Sequence, residues 1–304
     1  MNSYRFIHWR ASSSKTVHDF LLHEKKISSS FKRKIKREGL VIVNGRPSPL
    51  RKKVNAGDLI LVCVPVKAPE VFVPAFYPFD VLYEDEHLLV INKPAPLLTM
   101  PGRKEGEPNL AEAVLYYLQQ KNQPQSFHAV SRLDRETSGV IIIALHAYAH
   151  ERLSYYFDQN PGSKTYRALV QGNTGSADEV MTGRIRVKTD SIVTREIHEE
   201  GKSARTARKT IEAKEDVSFI ELVLYSGRTH QIRVHMQAAG HPLLGDTLYG
   251  EPSNLINRQA LHASRIDFEH PVTMKPMSVS ARLPDDFRNA LTQAGINALE
   301  LSDN

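Results

Sequence analysis

The stretch Val140-Ile-Ile-Ile-Ala-Leu145 is the strongest constraint on what this chain can fold into. Six apolar residues in a row, mostly β-branched, read as a buried strand. Directly before it, Ser131-Arg-Leu-Asp-Arg-Glu-Thr-Ser-Gly139 sets one short acid between two arginines. A carboxylate so flanked has its ionised form favoured. Asp134 therefore reads as charged at neutral pH, fit to attack or to abstract a proton rather than to donate one. Taken alone, the motif fits a turn aspartate satisfied by backbone amides just as well. Thr137-Ser-Gly139 supplies the polar turn that reshapes the backbone before the strand.

Other elements surround this one without a regular alternation of strand and helix, which points to an α+β fold. Val81–Ile91 reads as two strands around an acidic turn, stopped by Asn92-Lys-Pro94, and Leu110–Lys121 has helical spacing in Ala111, Val114, Leu115 and Leu118. Further strands are expected at Thr165–Val170, Phe219–Leu224 and Pro276–Arg282. Pro65, Pro69, Pro74 and Pro78 mark residues 66–78 as an extended linker. It divides a head at 12–65 from a larger domain at 79–304.

The head differs in charge from the body. Residues 1–67 hold 15 Lys and Arg against 4 Asp and Glu, whereas the rest holds 25 against 30. That split suggests a dedicated polyanion-binding unit. Val17, Phe20 and Leu21 are spaced as on a helix. Ser28 to Gly39 reads as a second helix, opened by serines and closed by Gly39 in the left-handed conformation. Phe31 and Ile35 share its inner face, leaving Lys32, Arg33, Lys36 and Arg37 for solvent or phosphate. Leu40-Val-Ile-Val-Asn-Gly45 is a strand with a hairpin turn, and Asn55-Ala-Gly-Asp58 is a turn before the strand Leu59–Val64.

Several function classes lack their signatures. A single cysteine, Cys63, rules out a disulfide framework and a cysteine-based zinc site, and favours a reducing, cytoplasmic setting. Residues 1–10 hold no apolar core of signal-peptide length, and no apolar run in the sequence approaches the length of a membrane span. Neither a Walker-type loop nor a Gly-x-Gly-x-x-Gly after a strand is present, so no nucleotide cofactor has a visible seat. His230 and His235 are five apart, off the spacing of a chelating pair, and no second cluster completes a metal site.

A second dense segment, Tyr225-Ser-Gly-Arg-Thr-His-Gln-Ile-Arg-Val-His-Met-Gln-Ala-Ala-Gly240, reads as a helix capped by Thr229. Ile232, His235, Met236 and Ala239 share one face of it. Arg228 and Arg233 near its start oppose the helix dipole, so they call for an acid or a phosphate. Arg233 is the candidate partner of Asp134.

Together these segments resemble the RluA-type RNA pseudouridine synthases across nearly the whole chain. The resemblance rests on "SRLDRETSGVIIIAL", "KTYRALVQG", "GRTHQIRVHMQAAGHPLLGD", "RQALHASRIDFEHP" and "EDEHLLVINKPA", in that family's order. The head, through "VIVNG" and "VNAGDLILV", resembles an S-four-like RNA-binding module, a small α/β unit. The resemblance implies a mixed, largely antiparallel catalytic sheet and an isomerase acting on RNA uridines without cofactor; a monomer is the default expectation, since the sequence carries no signal of oligomeric state. Carried over by position, Asp134 is the catalytic aspartate, Tyr166 stacks on the target base, Arg233 pairs with the acid and Arg132 fills the space left by the extruded base. Two positions depart from the family pattern: Ser131 stands where His is usual, and Pro96 where Gly is usual.

The implied substrate is ribosomal or transfer RNA, bound by Arg132, Arg228 and the basic helix of the head. A non-catalytic RNA-binding or ribosome-assembly protein would share the head but has no need of the acid. A glycosylase using the same aspartate would release a free base, which an isomerase does not.

Overall fold

The computed structural model describes residues 3–66, 72–102, 104 and 106–297. The head comprises β1 (Ser3–Arg10), β2 (Lys15–Thr16), a helical turn α1 (Val17–Asp19), α2 (Ser29–Glu38), β3 (Leu40–Val43), β4 (Arg46–Pro47), β5 (Lys53–Val54) and β6 (Leu59–Val66). A π-helical turn, Phe20–Glu24, continues α1. The main head sheet runs β1-β6-β3-β4, and β2 pairs with β5. Strand β1 lies outside the expected module at 12–65, yet it pairs with β6 over its full length.

Ser28 caps α2 through its hydroxyl, which accepts from the Phe31 amide, and Phe31 and Ile35 are buried. Gly39 does not close the helix in the left-handed region; its φ is −100° and ψ −176°. The glycine is required for a different reason. A Cβ there would sit 2.8 Å from the Cys63 carbonyl oxygen, so the helix end touches β6 backbone to backbone.

Residues 67–71 of the expected linker, with Pro69, lie outside the described residues. From Phe72 the chain runs along α3 (Leu110–Gln120), where the rings of Phe76 and Phe79 meet those of Tyr116 and Tyr117. The body is built on one large sheet. Its strands are β7 (Asp80–Glu84), β8 (Leu88–Lys93), β9 (His128–Ala129), β10 (Ser138–Ala144), β11 (Lys164–Gln171), β12 (Glu179–Val187), β13 (Arg195–Ile197), β14 (Lys202–Ala213), β15 (Val217–Leu224), β16 (Leu261–Glu269) and β17 (Pro276–Ser280). The order is β13-β12-β14-β15-β11-β16-β10-β8-β7, with β17 added to β16 and β9 to β10. Among the described residues, every pair in it is antiparallel except β10 with β16.

The apolar run from Val140 forms most of β10, which is buried on both faces. Ile141 and Ile143 point into a core with Leu115, Leu118 and Tyr166. Val140, Ile142 and Ala144 point the other way, into a core with Ala149 and Leu153 of α4 (Ala147–Gln159). Each isoleucine so buried contributes about 1.5–3 kcal/mol. Helices α5 (Gln231–Ala238) and α6 (Asp285–Gln293) complete the body. No helix among the described residues is long and apolar enough to cross a membrane.

Head and body share a core. Tyr148 of α4 is fully buried among head residues, with its ring 5.5 Å from Trp9 and 5.6 Å from Phe31. Its hydroxyl donates to the Lys25 carbonyl, Ser28 donates to Glu151, and the Arg5 guanidinium donates to the carbonyls of Glu86 and Pro124.

Candidate active site

Asp134 lies in the loop that feeds β10, and that loop is held from several sides. Thr99 donates its hydroxyl to the Leu133 carbonyl and accepts the Leu133 amide. The Leu97 amide and the Lys93 ammonium both donate to the Arg135 carbonyl. Arg258 donates to the Glu136 carbonyl, and Gln259 to the Thr137 hydroxyl. Gly139 then enters the sheet with φ 114°, where a Cβ would lie 2.2 Å from the Ala263 carbonyl oxygen. Only glycine permits this approach, which is the parallel contact between β10 and β16.

The flanking arginines are not the partners of the acid. Arg135 turns to Glu107 and Glu136, and Arg132 is exposed. The guanidinium beside Asp134 comes from α5 instead, as the second dense segment suggested. Arg233 Nη1 lies 3.4 Å from Asp134 Oδ2, while Nε and Nη2 bind Asp246 at 2.7 and 2.6 Å. Asp246 is itself buried and also accepts the amides of Leu248 and Tyr249. Burial works against the Arg233 charge, but the hydrogen bonds and charge of Asp246 outweigh it and hold the guanidinium above its ordinary value. The Tyr249 ring lies under the same guanidinium at 4.8 Å.

Tyr166 sits on β11 between β15 and β16, its ring in the main core. Burial first, and the Asp134 charge second, push its phenol above the ordinary range, which places it within reach of the acid's field. Lys93 is a further buried cation near Asp134. Burial pulls it down to about 7 against the opposing pull of Asp134, while its ammonium is shared among three carbonyls.

Helix α5 begins differently from the expectation. Thr229 is not its cap; His230 occupies that position with φ 58° and no capping bond from its side chain. The Gln231 side chain instead ties the preceding turn to β14: its oxygen accepts the Arg228 amide, and its nitrogen donates to the Arg205 carbonyl and the Thr206 hydroxyl. His230 and His235 face different ways, towards Asp134 and Thr206 respectively, and no cluster of three metal-ligating side chains occurs among the described residues.

Asp134, Tyr166 and Arg233 are thus brought to one place, with Arg132 two residues from the acid. Arg228 is exposed at the start of α5 and donates to the Ser203 carbonyl. Arg33, Lys36 and Arg37 are exposed on α2, far from this site in the chain, and Lys32 is half-buried against His18. Asp246 was within reach of sequence reasoning, since it ends the segment that contains Arg233. Lys93, Tyr249 and Arg258 carried no separate signal, and His230 stood out only as a metal-ligand candidate.

Residues 87–238 match the RNA pseudouridylate synthase family. The uncharacterized RNA pseudouridine synthase YjbO of Bacillus subtilis (strain 168) is 37% identical over 245 residues, 80% of this chain and 87% of the relative. The ribosomal large subunit pseudouridine synthase D of Neisseria meningitidis (strain Z2491) is 34% identical over 275 residues, 86% of this chain and 74% of the relative. The solved structure of human RNA pseudouridylate synthase domain containing 1 superposes with a TM-score of 0.57 at 27% identity, covering 68% of this chain and 84% of that one. With the largely antiparallel sheet and an arginine-paired aspartate in the loop that feeds β10, these likenesses converge: the chain belongs to the RNA pseudouridylate synthase family and is an isomerase that turns uridine in RNA into pseudouridine.

Proposed function

We propose that the chain modifies uridine in large-subunit ribosomal RNA and that Asp134 is the carboxylate that does the chemistry. The observation that carries the reading of the site is Arg233, fixed by Asp246 on one side and presenting Nη1 to Asp134 on the other. Support for the substrate comes from the relatives named for the ribosomal large subunit and from the basic head.

The reaction breaks the N1–C1′ bond, turns the uracil and bonds its C5 to C1′. The proton lost at C5 is balanced by one gained at N1, so the product is an isomer. A stacked uridine cannot reach Asp134, and flipping it out costs a few kcal/mol. Exposed Arg132 fills the vacancy, and Tyr166 offers a ring face worth about 1–3 kcal/mol of stacking. Asp134 then acts as a base or nucleophile at the sugar, attacking C1′ or removing a proton to give a glycal. Arg233 orients the acid; a planar, pre-bound guanidinium suits that task.

Asp134→Asn tests the assignment. It should abolish pseudouridine formation on ribosomal RNA from cells lacking the gene while leaving RNA affinity within about twofold. Appreciable turnover by the variant would remove Asp134 from its role.

A further inference from the structure

His230 occupies a conformation that side chains other than glycine rarely adopt, with φ 58° and ψ 20°. It gains no capping bond from doing so. The strained backbone instead aims the ring. Nδ1 lies 2.9 Å from the Tyr249 hydroxyl oxygen, and Nε2 lies 3.8 Å from Asp134 Oδ2.

The proton positions follow from counting donors. The Tyr249 oxygen already accepts the Arg195 amide at 2.7 Å. Its own proton needs an acceptor, because Tyr249 is buried, and His230 Nδ1 is the acceptor at hand. Neutral His230 then carries its proton on Nε2, facing the carboxylate. The other tautomer would strand the tyrosine proton and set a lone pair against Asp134. Burial, the largest influence, holds the imidazole below its ordinary value against the pull of Asp134, with Arg233 and Arg195 pushing the same way as burial and Asp246 opposing.

Asp134 Oδ2 therefore has two N–H donors aimed at it, from Arg233 at 3.4 Å and His230 at 3.8 Å. Both are longer than a good charged hydrogen bond. Both address the same oxygen, which leaves Oδ1 to the sugar. We propose that His230, set by Tyr249, is a positioning residue that closes with Arg233 on Oδ2 and turns Oδ1 toward the reacting sugar. The proposal rests on Asp134 as the reacting carboxylate.

The test compares His230→Leu, His230→Gln, Tyr249→Phe and the double variant His230→Leu/Tyr249→Phe in the full chain. The substrate is ribosomal RNA from cells lacking the gene, and the enzyme is in excess. His230→Leu should lower the saturating single-turnover rate by up to about 100-fold, the scale of a misplaced reacting group. The enzyme concentration giving half the maximal rate should stay within twofold. Gln places an amide N–H near the site of Nε2, so His230→Gln should recover at least tenfold of the loss. Tyr249→Phe should slow the reaction too, and the double variant should be no more than about twofold slower than His230→Leu, because both changes disable one device.

Equal rates for the Leu and Gln variants, multiplying losses in the double variant, or a His230→Leu rate within twofold of wild type would overturn the proposal. Should His230→Leu fail to fold, the Gln and Phe variants decide: a His230→Gln rate near wild type with a slowed Tyr249→Phe supports it, and an unslowed Tyr249→Phe overturns it. Asp134→Asn runs alongside. Turnover there removes the reading of the acid, whereas an inert Asp134→Asn with a normal His230→Leu removes only the role of His230.

Discussion

Asp246 holds Arg233 through both carboxylate oxygens, at 2.6 and 2.7 Å, and leaves a single nitrogen free to reach Asp134 at 3.4 Å. The pair is buried, and two of the three guanidinium nitrogens are committed to Asp246. Asp246 thereby fixes the direction from which Asp134 is addressed.

Asp246→Asn leaves that buried cation without its charge partner. Breaking a buried pair from one side destabilises by roughly 3–5 kcal/mol. The variant should show a lower denaturant midpoint and, among molecules that stay folded, a loss of pseudouridine formation at least as large as its loss of RNA affinity. Wild-type activity in Asp246→Asn would mean that Arg233 needs no anchor.

Arg132→Ala should slow modification of a uridine in a base-paired stem more than one in an open loop. Only the stem leaves a stacked vacancy to fill. Single-turnover rates on two short RNAs of otherwise equal sequence decide it, and equal losses on both would remove the space-filling role.

Stability should fall as the medium is acidified below about 6.5. His128 and His262 are held down to about 4, chiefly by burial and secondarily by His150 and by Arg258. The unfolded chain takes up protons at 6.5 while these folded imidazoles stay neutral, so protons favour the unfolded state. The loss builds between about 6.5 and 4. Thermal unfolding across that range should reveal it, and replacing His128 with Gln should flatten part of the slope.

The basic face of α2 gives a salt-dependence prediction. Changing Arg33, Lys36 and Arg37 together to Gln should weaken RNA binding and lower the slope of log affinity against log salt by about 2. An unchanged slope would place the phosphate contacts elsewhere. Three exposed side chains are a better probe than deleting the head, because deletion would uncover Tyr148 of the body.

Much of this was legible in order along the chain. Ser28, Phe31 and Ile35 declared α2 because capping and a four-residue spacing are local. The partnership of Asp134 with Arg233 was legible because each acid or base stood out within a dense motif. Strand β14 escaped, since its inward positions are filled by Ala204, Thr206 and Arg208 rather than by an apolar series, and β12 escaped because it buries only Met181 and Ile185. The Thr229 cap failed because His230, in the left-handed region, is the residue that precedes the helix, and its side chain makes no capping bond. Gly39 was rightly singled out for the wrong reason, as a contact with Cys63 lies 24 residues away and leaves no local trace. The tautomer of His230 depends on Tyr249 and Arg195, and no spacing rule connects those three.

Tyr148→Ala should destabilise the whole chain by about 3–5 kcal/mol, the scale of removing a large aromatic from a core. Head and body should unfold in a single transition before the change. A second, earlier transition should appear after it in a calorimetric scan.

That one ring has a wider consequence. Because Tyr148 plugs the head into the body, the distance from the cationic helix to Asp134 is set by the fold, as between the jaws of a locked caliper. If α2 grips phosphates and Asp134 reacts, as proposed, an RNA qualifies by whether its ridge of phosphates and its target nucleotide are the right span apart.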